Sequence, residues 1–340
     1  ISSAASDVYK RQGLGFSQID VTGCPSLALN GPGLPLREKQ PLTPESKLCF
    51  TGSVSNPPDF KKFAVRCTER FPNTYFVPQF IDDLRLMYLG IPHPDTADSR
   101  VLHPTNLDHP VFVEDKARFF INLPSMFAFN REMDFNYGTR IHGAIGNILC
   151  GVPSLLFPTD ARIRELAEYH NIPAIPASAV TPDTDLAALY DQTDFRQVNN
   201  GHAERFWHLI DFLNENGIKT IYDDRTGTPA RSLYDEKTAA TSYAQPVHSM
   251  LVRPPEEIAR RVDTAVRLQR KEIEDDSRLA TQLRDSQRKV TQLQERNKKQ
   301  NAQIQALKEE RKALKAELKA TKKPLRRLAW YPVSYTHLTL

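Results

Sequence analysis

Residues 133–170 constrain the fold of this chain more than any other stretch. "MDFNYG" (133–138) has the apolar, β-favouring character of a strand. "AIGNILC" (144–150) reads as a short helix stopped by Gly151 and Pro153. "SLLFP" (154–158) reads as a buried strand. "DARIRELAEYH" (160–170) reads as a helix with Asp160 as N-cap and Ile163, Leu166, Ala167 and His170 on one face. Strands alternating with helices at this spacing argue for an α/β domain with a parallel sheet.

The flanks extend the pattern. "QIDVTGCPSLALN" (18–30) reads as a strand ending in a Gly-Cys-Pro turn, and the Pro/Gly-rich stretch 31–46 has the punctuation of a linker. Residues 47–55, 74–80 and 118–123 read as further strands. Residues 58–71 read as a helix, with Phe60, Phe63, Ala64, Cys67 and Phe71 at helical spacing. Residues 183–222 look helical, and 223–255 are poor in pattern and read as loop.

From about residue 256 the texture changes. Leu279, Ser286, Leu293, Gln300, Leu307 and Leu314 recur every seven residues, as do Leu283, Val290, Asn297, Ile304, Arg311 and Leu318, offset by four. They interlock as d and a positions of a coiled coil, with Asn297 a polar device for setting register and favouring two strands, so a homodimer is expected. Charge follows the same division. Residues 13–255 carry 22 Lys/Arg against 28 Asp/Glu, a net of −6, whereas 256–331 carry 21 against 12, a net of +9. The basic end "KKPLRRLAWYP" (322–332) suits peripheral contact with an anionic membrane surface, and a solvated helix surface accounts for much of the same charge. Nucleic acid is the less favoured partner.

Both ends read as foreign. Residues 2–12, "SSAASDVYKRQ", match the translation of a transposon adaptor used in sequencing libraries. The closing "VSYTHLTL" matches the reverse complement of that adaptor in a shifted frame. The expectation is therefore that 1–12 and 332–340 are adaptor-derived and that the natural chain continues beyond both ends. The four cysteines are scattered without a CxxC pair, which suggests reduced thiols in a cytoplasmic protein, membrane-associated if the basic tail acts as an anchor. The nine histidines show no ligand spacing, so no metal is expected, and His93, His103 and His109 read as surface residues of a Pro/Asp-rich loop.

The turn "GTRIHG" (138–143) holds the candidate chemistry. In open α/β sheets ligands bind beyond the carboxyl ends of strands, where helices begin. Gly138 and Gly143 allow close backbone approach, and a helix starting near Gly143 would aim free N–H groups at the same spot. Arg140 adds a planar cation suited to carboxylate or phosphate, and His142 can carry a proton near neutral pH. The bland alternative is that Arg140 pairs with Asp134 or Asp160 and that His142 is a hydrogen-bonded core histidine.

The run "DFNYGTRIHGAIGNILCGVPSLLFPTDARIRELAEYHNIP" (134–173) resembles the C-terminal signature of the polysaccharide pyruvyl transferase family: a strand, G-x-R-x-H, a small-residue helix, G-[VI]-P, a strand, and an Asp before the next helix. "VTGCPSLALN" (21–30) resembles the segment where that family's first domain hands over to its second. The resemblance covers about 20–175. It implies an α/β, GT-B-like pair of Rossmann-type domains with parallel sheets, the first mostly truncated here, followed by a C-terminal α-helical coiled coil. The expected divisions are 13–44, remnant of the first domain and linker; 45–222, the second Rossmann-like domain; 223–255, linker; 256–321, coiled coil; and 322–331, basic tail.

The resemblance further implies transfer of a pyruvyl group from phosphoenolpyruvate to a sugar diol as a ketal, in cell-surface polysaccharide biosynthesis. Phosphoenolpyruvate is the donor substrate, no cofactor is needed, and the acceptor is a sugar or lipid-linked oligosaccharide. The motif places His142 in the catalytic role and Arg140, Ile141, Gly138 and Gly143 in substrate binding. Asp160 and Arg162, after the next strand, could face the same cleft. With most of the first domain missing, the fragment itself is expected to be inactive. Two alternatives stand beside this one. A GT-B nucleotide-sugar glycosyltransferase would use a Glu such as Glu165 for ribose contact. A non-catalytic scaffold would work through its coiled coil.

Overall fold

The computed structural model describes residues 14–15, 19–93, 104–223, 225 and 233–328. The expected adaptor-derived ends, His103 and the Trp330–Tyr331 pair lie outside the described residues. The chain divides into a compact unit ending at Val266 and a second unit beginning at Arg267.

The compact unit is built on a four-stranded sheet of β1 (Leu48–Thr51), β2 (Thr74–Phe76), β3 (Phe135–Gly138) and β4 (Ser154–Leu156), in the order β2-β1-β3-β4. All pairings are parallel, with Thr51 opposite Gly138 and Tyr137 opposite Leu155. The strands are short and buried on both faces, as a parallel sheet covered by helices requires.

Side-chain alternation distributes the core between the two faces. Leu48, Phe50, Phe135, Tyr137 and Leu155 point to one face, where α1 (Pro58–Arg70) presents Phe60, Phe63 and Cys67. Phe135 and Tyr137 are ring partners in this cluster, and Phe63 and Phe157 meet with centroids 5.6 Å apart. The opposite face receives two helices introduced by the strands β3 and β4. The elements between β2 and β3 are α2 (Ile81–Leu89), α3 (Pro110–Val113) and α4 (Leu123–Asn130). After β3 comes α5 (Ile141–Ile148), and after β4 comes α6 (Ala161–Tyr169). Ile141, Ala144, Ile145 and Ile148 of α5 pack with Ile163, Leu166 and Ala167 of α6 in a second apolar cluster. Asp160 caps α6 as expected, its Oδ1 accepting from Ile163 N–H at 2.8 Å.

Several local expectations are corrected. Among the described residues of the stretch 18–30, no extended strand forms. Pro25–Asn30 make a 3-10 turn whose Leu27 is buried against α5, because Pro25 favours the start of a helical turn and Leu27 has an apolar surface to cover. Residues 118–123 do not form a regular strand: Ala117 and Phe119 each make one isolated bridge, to Phe76 and Val247, before Asn122 caps α4. The helical reading of 183–222 resolves into α7 (Leu186–Gln192), a 3-10 turn and α8 (His202–Glu215). Within the stretch read as loop, α9 (Leu233–Thr238) forms, Val247 pairs with Phe119 and Met250 is buried. His93 is buried rather than exposed, and His109 Nδ1 accepts from Val111 N–H at the start of α3.

The last element, α10 (Pro255–Leu328), is continuous for 74 residues. Its first turns belong to the compact unit, where the Arg261 guanidinium lies 4.1 Å from the Tyr88 ring centroid and Ala265 is buried. Among the described residues no helix is long and apolar enough to cross a membrane.

Candidate functional site

The strand order reverses direction between β1 and β3. The chain leaves β1 through α1 to reach β2 on one side, and leaves β3 through α5 to reach β4 on the other. The crevice beyond the carboxyl ends of two such strands is where open α/β sheets bind ligands. Here it lies between Thr51, the last residue of β1, and the turn 138–143 that follows β3.

Thr51 and the turn are fitted to each other. The Thr51 carbonyl accepts from Thr139 N–H at 2.9 Å and Arg140 N–H at 3.3 Å. A Cβ on Gly138, whose φ is +155°, would lie 2.2 Å from that carbonyl oxygen. One on Gly143 would lie 2.6 Å from Thr51 Cγ2. Both glycines are therefore required by close approach across the crevice. Thr51 Oγ1 is buried and makes no hydrogen bond among the described residues. Beneath the turn, Thr139 Oγ1 bonds Asn56 Oδ1 at 2.8 Å, tying the loop after β1 to the loop after β3.

Arg140 is the N-cap residue of α5 and provides no side-chain cap to its first turn. Its half-buried guanidinium stacks 4.3 Å from the Phe80 ring centroid, and Nε donates to Gln79 Oε1 at 3.5 Å. Burial pulls its pKa below the usual arginine value, and the nearby carboxylates of Asp83 and Asp160 oppose that shift. Among the described residues Arg140 has no ion-pair partner, and Asp134, one of the two partners weighed from sequence, instead accepts from Lys47 N–H at 2.8 Å. Asp83, buried beside Phe80 N–H, has its carboxyl pushed up to about 6 by desolvation.

His142 is exposed, one residue into α5 beyond Ile141, and so is not a core histidine. It lies close enough to the Cys24 thiol to favour its thiolate. Burial raises that thiol's pKa, but His142 and Ser26 together outweigh it, leaving Cys24 below the ordinary cysteine value. Cys24 N–H donates to His170 Nε2 at 2.7 Å, which holds the Gly-Cys-Pro turn against α6. Ile141 is buried in the apolar cluster, so only its backbone faces the crevice. Asp160 and Arg162 are exposed at the start of α6, within electrostatic reach of Arg140.

The structure thus brings together Gly138, Arg140, His142, Gly143, Asp160 and Arg162. It adds Thr51, Asn56, Phe80, Asp83 and Cys24, which sequence reasoning did not assign to the site. The signals for Thr51 and Cys24 were present in part: two glycines imply something that approaches them, and Cys24 sits in the "GCPS" stretch. The arrangement offers a cation, uncapped helix N–H groups and a buried hydroxyl for an anion, with an exposed imidazole beside them.

Two cavities lie elsewhere. The larger, about 420 Å³, is lined by Arg37, Lys39 and Phe195. Two of its cations are spent on the fold: Lys39 Nζ donates to the carbonyls of Tyr190, Asp191 and Thr193, and Arg37 to those of Gly151, Arg131 and Met133. Arg140, by contrast, has no ion-pair partner among the described residues, so the crevice at 138–143 is the better candidate for an anion. Among the described residues no group of His, Cys, Asp and Glu is arranged to hold a metal ion.

No protein-family model matches the chain, and no curated protein matches it. Among solved structures, the "Crystal Structure Analysis of the Glycotransferase of kitacinnamycin" is similar over 53% of this chain at 20% identity, with a TM-score of 0.27. This chain spans 42% of the length of that one. A likeness at that level carries no assignment of reaction or substrate, and the functional reading rests on the crevice itself.

Proposed function

We propose that the crevice binds phosphoenolpyruvate and that the protein transfers its pyruvyl group to a sugar diol as a ketal. The observation that supports this most is the placement of Arg140 and the start of α5 at the β1/β3 switch point, with His142 on the next turn. Phosphoenolpyruvate carries a carboxylate and a phosphate. Arg140 and the first N–H groups of α5 supply fixed positive charge for one of them, and Arg162 can approach the other. Protonation of the methylene carbon by His142 develops positive charge at C2, which one sugar hydroxyl attacks. The attacking hydroxyl's proton returns to His142, the C2–O bond to phosphate then breaks, and the second hydroxyl closes the ketal as its proton leaves with the phosphate. The carboxylates Asp83 and Asp160 offset part of the effect of burial on Arg140, and Phe80 holds its plane.

The test is calorimetric titration of the chain with phosphoenolpyruvate, inorganic phosphate and a nucleoside diphosphate sugar, alongside Arg140→Ala. Phosphoenolpyruvate binding abolished by the substitution supports the proposal. Acceptor-dependent phosphate release by a form carrying both Rossmann-type domains, lost in His142→Ala, completes it. Binding of the nucleotide sugar with none of phosphoenolpyruvate would replace it with the glycosyltransferase reading.

A further inference from the structure

The long helix α10 carries an outward seam of large aliphatic side chains. Leu283, Val290, Leu293, Ile304, Leu307 and Leu314 are each 48–63% exposed. The heptads that place them are interrupted at four seam positions: Ser286 and Gln300 at d, Asn297 and Arg311 at a. We infer that this seam is covered by the same seam of a second copy of the chain, running antiparallel, with the two-fold axis between Asn297 and Gln300.

The positions of the four interruptions carry the argument. In an antiparallel pair each a residue faces a d residue of the other strand. One register sets Asn297 opposite Gln300 and Arg311 opposite Ser286. The same register sets Leu293 opposite Ile304 and Val290 opposite Leu307. Farther out, Leu283 meets Leu314 and Leu279 meets Leu318. Every polar seam residue then faces a polar one and every aliphatic faces an aliphatic. A shift of one heptad in either direction breaks the match, setting Asn297 against Leu293 or Leu307, and Arg311 against Leu279 or Leu293.

A parallel, in-register pair also sets like against like, but it places the Arg311 guanidinium beside its own copy at one level of the seam, where like charges repel. The antiparallel pair gives Arg311 the hydroxyl of Ser286 instead and separates the two Arg311 levels by about 37 Å, at 1.5 Å of rise per residue. Glu310, at a g position, lies beside Lys289 of the other strand in the antiparallel pair and beside Lys315 in the parallel one. The flanking charges therefore accept both directions, and the Arg311 level selects between them.

Cysteine cross-linking of the full chain tests direction and register together. The native cysteines Cys24, Cys49, Cys67 and Cys150 are buried and lie outside α10, so the unsubstituted chain sets the background. Ser286→Cys and Arg311→Cys are made singly, and each is oxidised alone and after mixing. The expected result is a disulfide dimer in the mixture and none in Ser286→Cys alone, which keeps Arg311, with a light-scattering mass of two chains. Self-cross-linking of Ser286→Cys alone would show a parallel pair and overturn the inference. A mass of one chain, or of more than two, would also overturn it. Both substitutions sit on exposed helix positions, and unchanged circular dichroism verifies that the helix persists.

Discussion

Two buried titratable groups near the crevice should give opposite responses to acid. Burial holds His170 down at about 4 against its usual 6.5, with the charges of Arg205 and His202 adding to the effect. Burial holds Asp83 up at about 6 against its usual 3.8. For His170 the unfolded chain takes up a proton more readily than the folded one. Its share of stability is complete above pH 6.5 and is lost as pH falls toward 4. For Asp83 the folded chain takes up the proton more readily. Its share is complete below pH 3.8 and is lost as pH rises through 6. At about 1.4 kcal/mol per unit, each spans about 3 kcal/mol, with opposite slopes over nearly the same window.

The two should largely cancel in the unsubstituted protein, and single substitutions should uncover them. Asp83→Asn keeps an oxygen for Phe80 N–H and removes the Asp83 titration, so stability should fall by about 3 kcal/mol more steeply between pH 7 and 4 than in the parent. His170→Gln keeps an acceptor for Cys24 N–H, and its stability should rise relative to the parent by about the same amount over that interval. The measurement is urea unfolding followed by tryptophan fluorescence at several pH values. The comparison between variants removes the common acid sensitivity of the exposed, ion-paired carboxylates such as Asp185. Three superimposable profiles would refute the reasoning, since they would mean that neither group is desolvated in the folded protein.

Other expectations follow from the same geometry. Gly138→Ala places a methyl 2.2 Å from the Thr51 carbonyl oxygen and should cost about 2–3 kcal/mol by denaturant midpoint, because backbone blocks the new atom. Cys24 should outpace Cys49 and Cys67 in alkylation at neutral pH, since burial pushes Cys49 up to about 12 and Cys67 higher still; peptide mass spectrometry reads the order. His142→Ala should slow Cys24 labelling by removing the neighbour that favours its thiolate, and an unchanged rate would break the link between the two residues. Arg140→Lys should lose at least about tenfold in phosphoenolpyruvate affinity with little loss of stability, because a point charge cannot reproduce the stacked planar fork.

What the sequence makes legible here is what is local. The strand–turn–helix–strand–helix order of 133–170 survives in the structure with shifts of a few residues, because apolar periodicity, the Asp160 cap and the Gly151–Pro153 stop all act within one or two turns of the chain. The α5 start moves forward from 144 to Ile141, since Arg140 can occupy the capping position without donating a cap. The strand expected at 118–123 fails for a non-local reason: its candidate edge is taken up by single bridges to Phe76 and Val247, and the seat of Asn122 as a helix cap ends it. Asp83 and Phe80 carried no local signal, since one lies in a helix and the other before it, and their relation to Arg140 exists only after β2 has paired beside β1.

That division locates the chemistry. Arg140 and His142 are close in sequence, so the motif alone could nominate them, but an Arg on a surface turn is ordinarily a solvated cation. What singles this turn out as a candidate site is Thr51, 87 positions earlier, whose carbonyl holds the turn and whose side chain fills the space two glycines leave. Parallel pairing of β1 with β3 brings it there, and the same pairing creates the switch point at which both loops open outward. A substitution at Thr51 therefore tests the whole construction. Thr51→Val keeps the shape and removes the unpaired hydroxyl, which should leave stability unchanged or raise it by about 1 kcal/mol, since a buried polar atom without a partner is costly. If that hydroxyl serves a bound anion, the same variant should weaken phosphoenolpyruvate binding. Gain in stability with loss of affinity is the pattern expected of a group kept for the ligand rather than for the fold. Equal affinity in both proteins would mark Thr51 as a spacer for the turn and nothing more.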